Sequence, residues 1–424
     1  MGVWDFTGES TNEYTHDLHL YPAIMNPQIA RRLIKLYGKN AQNLLDPYCG
    51  SGTSLVEARL AGLNADGFDL NPIARLISTM KTKYYVANEL RRFIDNLIDG
   101  MDSLKLLNWE SSVEQSGFTV EQIRTWFPDK TVCEIATFLS LLPKPNGSKN
   151  EYRLFAIIAL SDCLRKVSIQ RMREWKMYRE EGWRDREIND FYQPLFPTLK
   201  AKMLKNLESL IEYSEELTNL SYLDSTRVRI DSTNSVIVEN FPSTPEGGYD
   251  LVVTSPPYGD SPTTVAYEQF SWLSNVWLGL DNRTPGNLGC EMMGGKKVME
   301  IRKLGHKEID DSISKMNPDI AIKNYSFYKD YLASIRHVAN NVQDGGTVCY
   351  VVGNRTSGNQ YMRLDLFTRW AFEQVGFKRV GIIKKRKLIN TRMPNSIAIN
   401  GNGKKKILPT MSEEFIVVCK KTMS

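Results

Sequence analysis

Cysteine, histidine and long apolar runs are scarce in this 424-residue chain, and each scarcity closes off a class of protein. The six cysteines, at 49, 133, 163, 290, 349 and 419, form no C-x-x-C pair. A zinc site is therefore not expected, and a reducing cytoplasm suits the chain. Four histidines leave little material for a metal centre or a histidine-based triad, so we expect no metal. No apolar run of about 18 residues occurs, which argues against a membrane helix. The opening MGVWDFTGESTNEYTHDL is polar and lacks the apolar stretch of a signal peptide. Acids are missing from one segment. Between Lys378 and Lys406 stand ten Lys or Arg and no Asp or Glu, although the whole chain carries only +5. Such a run is either a solvated face or a surface for a polyanion.

What is present is the composition of a soluble globular protein, 42% hydrophobic and 24% charged, long enough for two or three domains. Two stretches stand out. In Tyr249-Asp-Leu-Val-Val-Thr-Ser-Pro-Pro-Tyr258 a buried strand ends against two prolines, which forbid further ladder pairing and hold the residues before them extended. The tip presents the Ser255 hydroxyl, the Pro256 carbonyl, Pro257 and the Tyr258 ring at the carboxyl end of a strand, where open α/β sheets bind ligands.

Upstream, Asn43-Leu-Leu-Asp46-Pro-Tyr48-Cys-Gly50-Ser51-Gly52-Thr53 runs from a short strand through a glycine turn into a helix. Glycines let the backbone approach a ligand, and a helix amino terminus offers unpaired N–H groups. No lysine follows the glycines, so a nucleoside triphosphate is not expected. The next strand ends at Asp69-Leu70-Asn71, and an acid about 20 residues past such a loop typically accepts hydrogen bonds from ribose hydroxyls. These features point to a nucleoside-containing cofactor.

Taken together, DPYCGSGT, GFDLNP and TSPPY resemble the motifs of the S-adenosylmethionine-dependent DNA amino-methyltransferases, with TSPPY most like the N4-cytosine type of restriction–modification systems. The stretch His19-Leu-Tyr21-Pro22-Ala-Ile24 is similar to the family's amino-terminal motif that closes over the methionine end of the cofactor. Many relatives carry lysine where this chain has Ile24, so that lysine's role does not carry over. DGGTVCYVVG from Asp344 and EEFIVVCK from Glu413 look like the family's fifth and last strands.

The resemblance covers residues 15 to 85 and 228 to 424. It implies a mainly parallel, seven-stranded, Rossmann-like methyltransferase sheet over 1–85 and 226–424. Residues 86–225 lie outside the resemblance, and helical apolar spacing, as at Leu90, Phe93, Ile94 and Leu97, with a capping-box pattern at Thr119–Gln122, reads there as an all-helical insert. The resemblance also implies S-adenosylmethionine bound by Tyr21, Pro22, Asp46, Tyr48, Gly50, Ser51, Gly52, Thr53, Asp69, Leu70, Asn71, Asp231 and Thr254. Asp231 reads equally well as an Asx-type turn. The implied partners are double-stranded DNA and a cognate restriction endonuclease, with the enzyme itself a monomer.

Within the insert, the Arg165–Arg179 stretch interleaves basic residues with Trp175 and Tyr178, and it reads either as a nucleic-acid contact or as a plain charged helix. Residues 282 to 322 read as a long functional or disordered loop. Lys384, Lys385, Arg386, Lys387 and Arg392 are the candidate DNA contacts of the acid-free segment.

The implied chemistry is methyl transfer to an exocyclic amine. Ser255 and the Pro256 carbonyl would accept the amine's hydrogens, and Tyr258 would stack on a base turned out of the duplex. Carbon-5 methylation would need a cysteine after proline, and no Pro-Cys dipeptide occurs. The alternatives are N6-adenine methylation of DNA and N2-guanosine methylation of RNA.

Overall fold

The computed structural model describes residues 4–145, 150–172, 174–180, 187–260, 264–388, 396–399, 405–408, 411 and 413–423. Helix α1 (Pro27–Tyr37) opens as its residues dictate. Asn26 accepts from the Gln28 amide at 2.8 Å, Pro27 takes the first turn, and Gly38 ends the helix. Ile29, Ala30, Leu33 and Ile34 bury one face. Strand β1 (Asn43–Asp46), helix α2 (Thr53–Leu60), strand β2 (Asn64–Phe68) and helix α3 (Pro72–Thr82) follow as two strand–helix units.

The insert is helical, as its periodicity predicts. It contains α4 (Ala87–Ser103), α5 (Trp109–Ser116), α6 (Val120–Trp126), α7 (Asp129–Leu141), α8 (Asn150–Val167) and α9 (Leu195–Asn219). Thr119 and Gln122 cap α6 reciprocally, each side chain bonding the other's backbone N–H. Leu90, Ile94, Leu97 and Met101 on α4 join Met203, Leu207 and Leu210 on α9 in one core, which also takes in Ile73 and Ile77 of α3. The insert thus packs directly onto a helix of the sheet layer.

The sheet resumes with β3 (Val228–Asp231) and β4 (Tyr249–Thr254), followed by α10 (Tyr267–Trp277). The expected long loop at 282–322 instead holds α11 (Pro285–Glu291), α12 (Lys307–Ser314) and the start of α13 (Pro318–Asn340). Weak periodicity concealed them because two are barely two turns long, and Ile309 and Ile313 alone anchor α12.

Strand β5 (Val342–Gly353) leads into a hairpin of β6 (Arg355–Ser357) and β7 (Gln360–Met362), then α14 (Leu364–Glu373). The chain closes with β8 (Phe377–Arg379), β9 (Lys384–Lys387), the antiparallel pair β10 (Ser396–Ile399) and β11 (Lys405–Leu408), and β12 (Glu413–Lys421).

Spatial order is β3-β2-β1-β4-β5-β12-β8, with β9 also pairing β12. The first five strands are mutually parallel, and β12 runs antiparallel to β5, β8 and β9. This is the expected Rossmann-like α/β sheet. Its edge position is split, because β8 pairs with the end of β12 and β9 with its beginning. Order reverses at β1, which has β2 on one side and β4 on the other, so the crevice at their carboxyl ends is the natural ligand site.

Gly67 on β2 lets the cofactor-type loop settle on the sheet. A Cβ there would lie 2.5 Å from Leu55 Cδ1 and 3.0 Å from Cys49 Cβ. Gly67→Ala is therefore expected to destabilise the protein by about 1–3 kcal/mol through overpacking. An unchanged denaturant midpoint would show that the loop does not press on β2.

Candidate active site

At the tips of β1 and β4, one carboxylate holds two loops together. Asp46 Oδ1 accepts from Thr254 Oγ1 at 2.5 Å and from the Tyr48 amide at 3.1 Å, while Oδ2 accepts from Ser54 Oγ on α2. Burial pushes its carboxyl up to about 6, and the hydroxyl donors oppose that rise. The tip of β2 repeats the device. Asp69 Oδ2 accepts from the Gly50 amide at 3.0 Å and Oδ1 from the Asn71 amide at 2.8 Å. Burial pushes Asp69 up to about 6 as well.

Between these tips lies a cleft of about 1030 Å³ including its mouth. Of the cofactor residues expected from sequence, Tyr21, Pro22, Asp46, Tyr48, Gly50, Ser51, Thr53, Asp69 and Leu70 line it. Ser255 and Pro257 line the same cleft, so the two sequence stretches some 200 residues apart do meet.

Four expected cofactor residues stand elsewhere. Gly52, where a Cβ would meet Ser78 at 2.9 Å, and Thr254, which donates to Asp46, do not line the cleft. Asn71 is fully buried, donating to the Tyr21 hydroxyl at 3.1 Å and to Ser271 Oγ at 2.6 Å. Asp231 closes an Asx turn, accepting from the Thr233 amide at 2.7 Å, and the cleft wall there is Thr233 to Val236. Pro256 is buried and Tyr258 half-buried, and neither is among the lining residues.

Sequence reasoning missed several walls. Met292 and Met293 reach the cleft from the segment after α11, and Tyr267 from α10. The aromatic content of α10 was a visible signal, whereas nothing local marks the methionines. Tyr267 stacks on Tyr21 at 6.0 Å, and Phe270 meets Tyr21 edge-on at 5.8 Å. Trp175 of the insert then packs on Phe270 at 5.6 Å, so the insert reaches the wall of the cleft. His19 is held below its ordinary value, at about 4, by burial, and it bonds Ser161 Oγ at 2.9 Å. It pins the amino-terminal loop to α8. Cys49 is buried, its thiol pushed well up by desolvation, as a structural cysteine should be.

The Tyr258 hydroxyl lies 3.0 Å from Ser255 Oγ and donates to Glu414 Oε1 at 3.0 Å. Burial and the Glu414 charge hold that phenol well above its usual range. Glu414 Oε2 in turn lies 3.4 Å from Arg386.

Strand alternation divides the basic residues of β9. Lys384 turns inward over the Trp4 ring at 4.7 Å and bonds the Tyr37 hydroxyl at 3.2 Å, and Arg386 is buried against Glu414. Only Lys385 and Lys387 of the four are exposed, and Lys385 pairs with Glu413 at 2.5 Å. Arg392 lies outside the described residues.

A parallel sheet reversing at β1, with a glycine loop and an acid facing one cleft, defines a Rossmann-like α/β domain. Comparison with known proteins then points to a particular family. A family model described as DNA methylase, of the N6/N4 type, matches residues 1–79. The chain is 29% identical over 437 residues to Type II methyltransferase M.MvaI of Kocuria varians, covering 98% of this chain and 93% of that protein. It is 20% identical over 434 residues to Type II methyltransferase M.BsoBI of Geobacillus stearothermophilus, covering 89% and 81%. A third similarity, 42% over 52 residues, is to the tRNA (guanine(10)-N2)-dimethyltransferase of Methanothermobacter thermautotrophicus, covering 12% of this chain and 16% of that one. These similarities support placing the chain among the DNA amino-methyltransferases of restriction–modification systems. Methyltransferases of this family use S-adenosylmethionine in general.

Proposed function

We propose that this protein transfers the methyl group of S-adenosylmethionine to the exocyclic N4 amine of a cytosine turned out of double-stranded DNA. The observation that carries the reading is the single cleft shared by Asp69, Gly50 and Tyr21 on one side and Ser255 with Pro257 on the other. Methyl transfer needs the donor and the amine held in contact and in line, and one cleft with two such walls supplies that.

The residues fit a nucleoside cofactor. Asp69 accepts two backbone N–H bonds, and a carboxylate has about four lone-pair sites, so capacity remains for ribose hydroxyls. Asp46, Tyr48, Ser51, Thr53 and Leu70 complete the cradle, and Tyr21 with Pro22 closes it. Asn71 acts by holding Tyr21, and Thr254 by holding Asp46. When bound, the cofactor supplies an electrophilic methyl on a sulfonium. Ser255 accepts a hydrogen of the amine, with the adjoining Pro256 carbonyl as second acceptor, and the pair turns the amine's lone pair out of conjugation. Tyr258 supports Ser255 from outside the lining, its hydroxyl 3.0 Å from Ser255 Oγ.

Serine rather than aspartate at 255, within TSPPY, supports cytosine over adenine. The RNA reading has only the short tRNA-enzyme similarity behind it. Residues 86–225 form a recognition region in this reading, since Trp175 packs against the cleft wall through Phe270. The protein acts as a monomer beside a separate endonuclease of the same specificity.

Asp69→Ala is expected to weaken S-adenosylmethionine binding by about 1–3 kcal/mol. Wild-type affinity should also fall as pH drops through about 6, because the raised Asp69 carboxyl is then protonated and accepts less well. Calorimetric titration giving equal affinities for variant and wild type would remove Asp69 from the site.

Exchanging exposed Lys385 and Lys387 for alanine should lower DNA affinity and cut the log–log salt slope by roughly one per lost phosphate contact. A slope that stays put would leave β9 a solvated edge.

For Ser255→Ala, cofactor and DNA should still bind while single-turnover methylation slows by about 10²–10³. Mass spectrometry of product nucleosides identifies the base. N6-methyladenine would keep the cleft and overturn the cytosine assignment, and undiminished turnover would remove Ser255 from the chemistry.

A further inference from the structure

A serine hydroxyl is chemically ambiguous, because it can donate one hydrogen bond or accept two. An amine acceptor must not be ambiguous, and the surroundings of Ser255 remove the choice. Glu414 sits on β12 opposite Gly353 of β5. Because residue 353 is glycine, the Tyr258 ring can lie against that strand, and a Cβ there would fall 2.7 Å from Tyr258 Cδ2. Its hydroxyl therefore reaches Glu414 Oε1 at 3.0 Å, with Ser255 Oγ 3.0 Å away on the other side.

Donor counting fixes the direction of this chain. An ionised carboxylate only accepts, so Tyr258 spends its single proton on Glu414. With no proton left, Tyr258 can only accept from Ser255. The serine's proton is thus committed away from the cleft that Ser255 lines. What the cleft meets is a pair of lone pairs. Burial raises the Glu414 carboxyl above its ordinary value; Arg386, buried on β9 with its guanidinium 3.4 Å from Glu414 Oε2, opposes that rise and favours the charged form.

We infer that Glu414, acting through Tyr258, is a positioning residue that locks the Ser255 hydroxyl as an acceptor, so that the site admits a base with an exocyclic amine and rejects one with a carbonyl in its place. A carbonyl brings only lone pairs, which would face those of Ser255 with no proton between them. A buried polar pair left unmatched in this way is what gives hydrogen-bonding sites their power to reject. The role rests on the reading of Ser255 as the amine's acceptor. It also gives an interior function to Arg386, within a strand whose basic composition suggested DNA contact.

The test uses Glu414→Gln and Tyr258→Phe in the full chain. Glutamine can donate as well as accept, which frees the chain to reverse, and phenylalanine cuts it while keeping the ring. Calorimetric binding of S-adenosylmethionine, unchanged in both, verifies the fold. DNA affinity is then measured on duplexes carrying cytosine or uracil at the methylated position. Wild type should favour cytosine, and both variants should lose about tenfold of that preference, the equivalent of one hydrogen bond. Single-turnover methylation of cytosine should slow by about 10²-fold with KM for DNA little changed, as misdirection of one positioned group predicts. Variants that keep wild-type rate and wild-type discrimination would overturn the role of Glu414. The wild-type control separates this from its parent: absence of N4-methylcytosine from wild type sinks the proposed activity, whereas normal wild-type product with unaltered variants sinks only the positioning role.

Discussion

The joint at Asp46 is the constraint on which the site depends. Three donors from three segments converge on one buried carboxylate: the Tyr48 amide in the loop after β1, Ser54 at the start of α2, and Thr254 at the end of β4. Parallel pairing already sets Leu44 opposite Leu251 and Leu45 opposite Val252. The ladder alone stops short of the tips, where both loops leave the sheet. Asp46 carries the registration past that point, so the glycine loop and the Ser-Pro-Pro-Tyr loop face one cleft at fixed separation. A carboxylate pushed up to about 6 by burial is the energetic cost of that joint.

Around the joint the protein repeats one tactic, using buried polar groups to aim others rather than to react. Asn71 aims Tyr21, Asp69 gathers the amides of Gly50 and Asn71, and Glu414 meets Tyr258 beside Ser255. Such networks suit a reaction that needs placement more than acid–base power. They also explain why the cleft contains few groups of ordinary catalytic type. Among the described residues no cluster of His, Cys, Asp and Glu is arranged to hold a metal ion.

The insert and the closing hairpin show how composition misleads when geometry is unknown. Arg165 looks like a surface cation in sequence, yet it is buried over the Phe270 ring at 4.9 Å, and desolvation lowers its guanidinium to about 10. Lys384 and Arg386 likewise turn inward, one onto Trp4 and Tyr37 and the other onto Glu414. Four consecutive cations, Lys384 to Lys387, stood among the candidate DNA contacts, but a strand can offer only alternate residues to solvent. The acids that pair with two of them, Glu413 and Glu414, lie on β12, outside the stretch in sequence but opposite it in register.

By itself the sequence determined the parts whose physics is local. Two prolines end β4, a glycine turn joins β1 to α2, Thr119 with Gln122 caps α6, and apolar spacing makes α4 and α9 helical. Each follows from restricted dihedrals or from the 3.6-residue period, which neighbours along the chain can express. Tertiary structure decided which of those parts face one another. It put Asp231 into a turn and Thr233 to Val236 onto the wall, brought Met292 and Met293 in from a segment of weak periodicity, and paired Tyr258 with Glu414 across 156 residues of chain. Such contacts depend on strand order and crossover packing. Those are settled by burying a whole sheet at once, and no short stretch of residues encodes them.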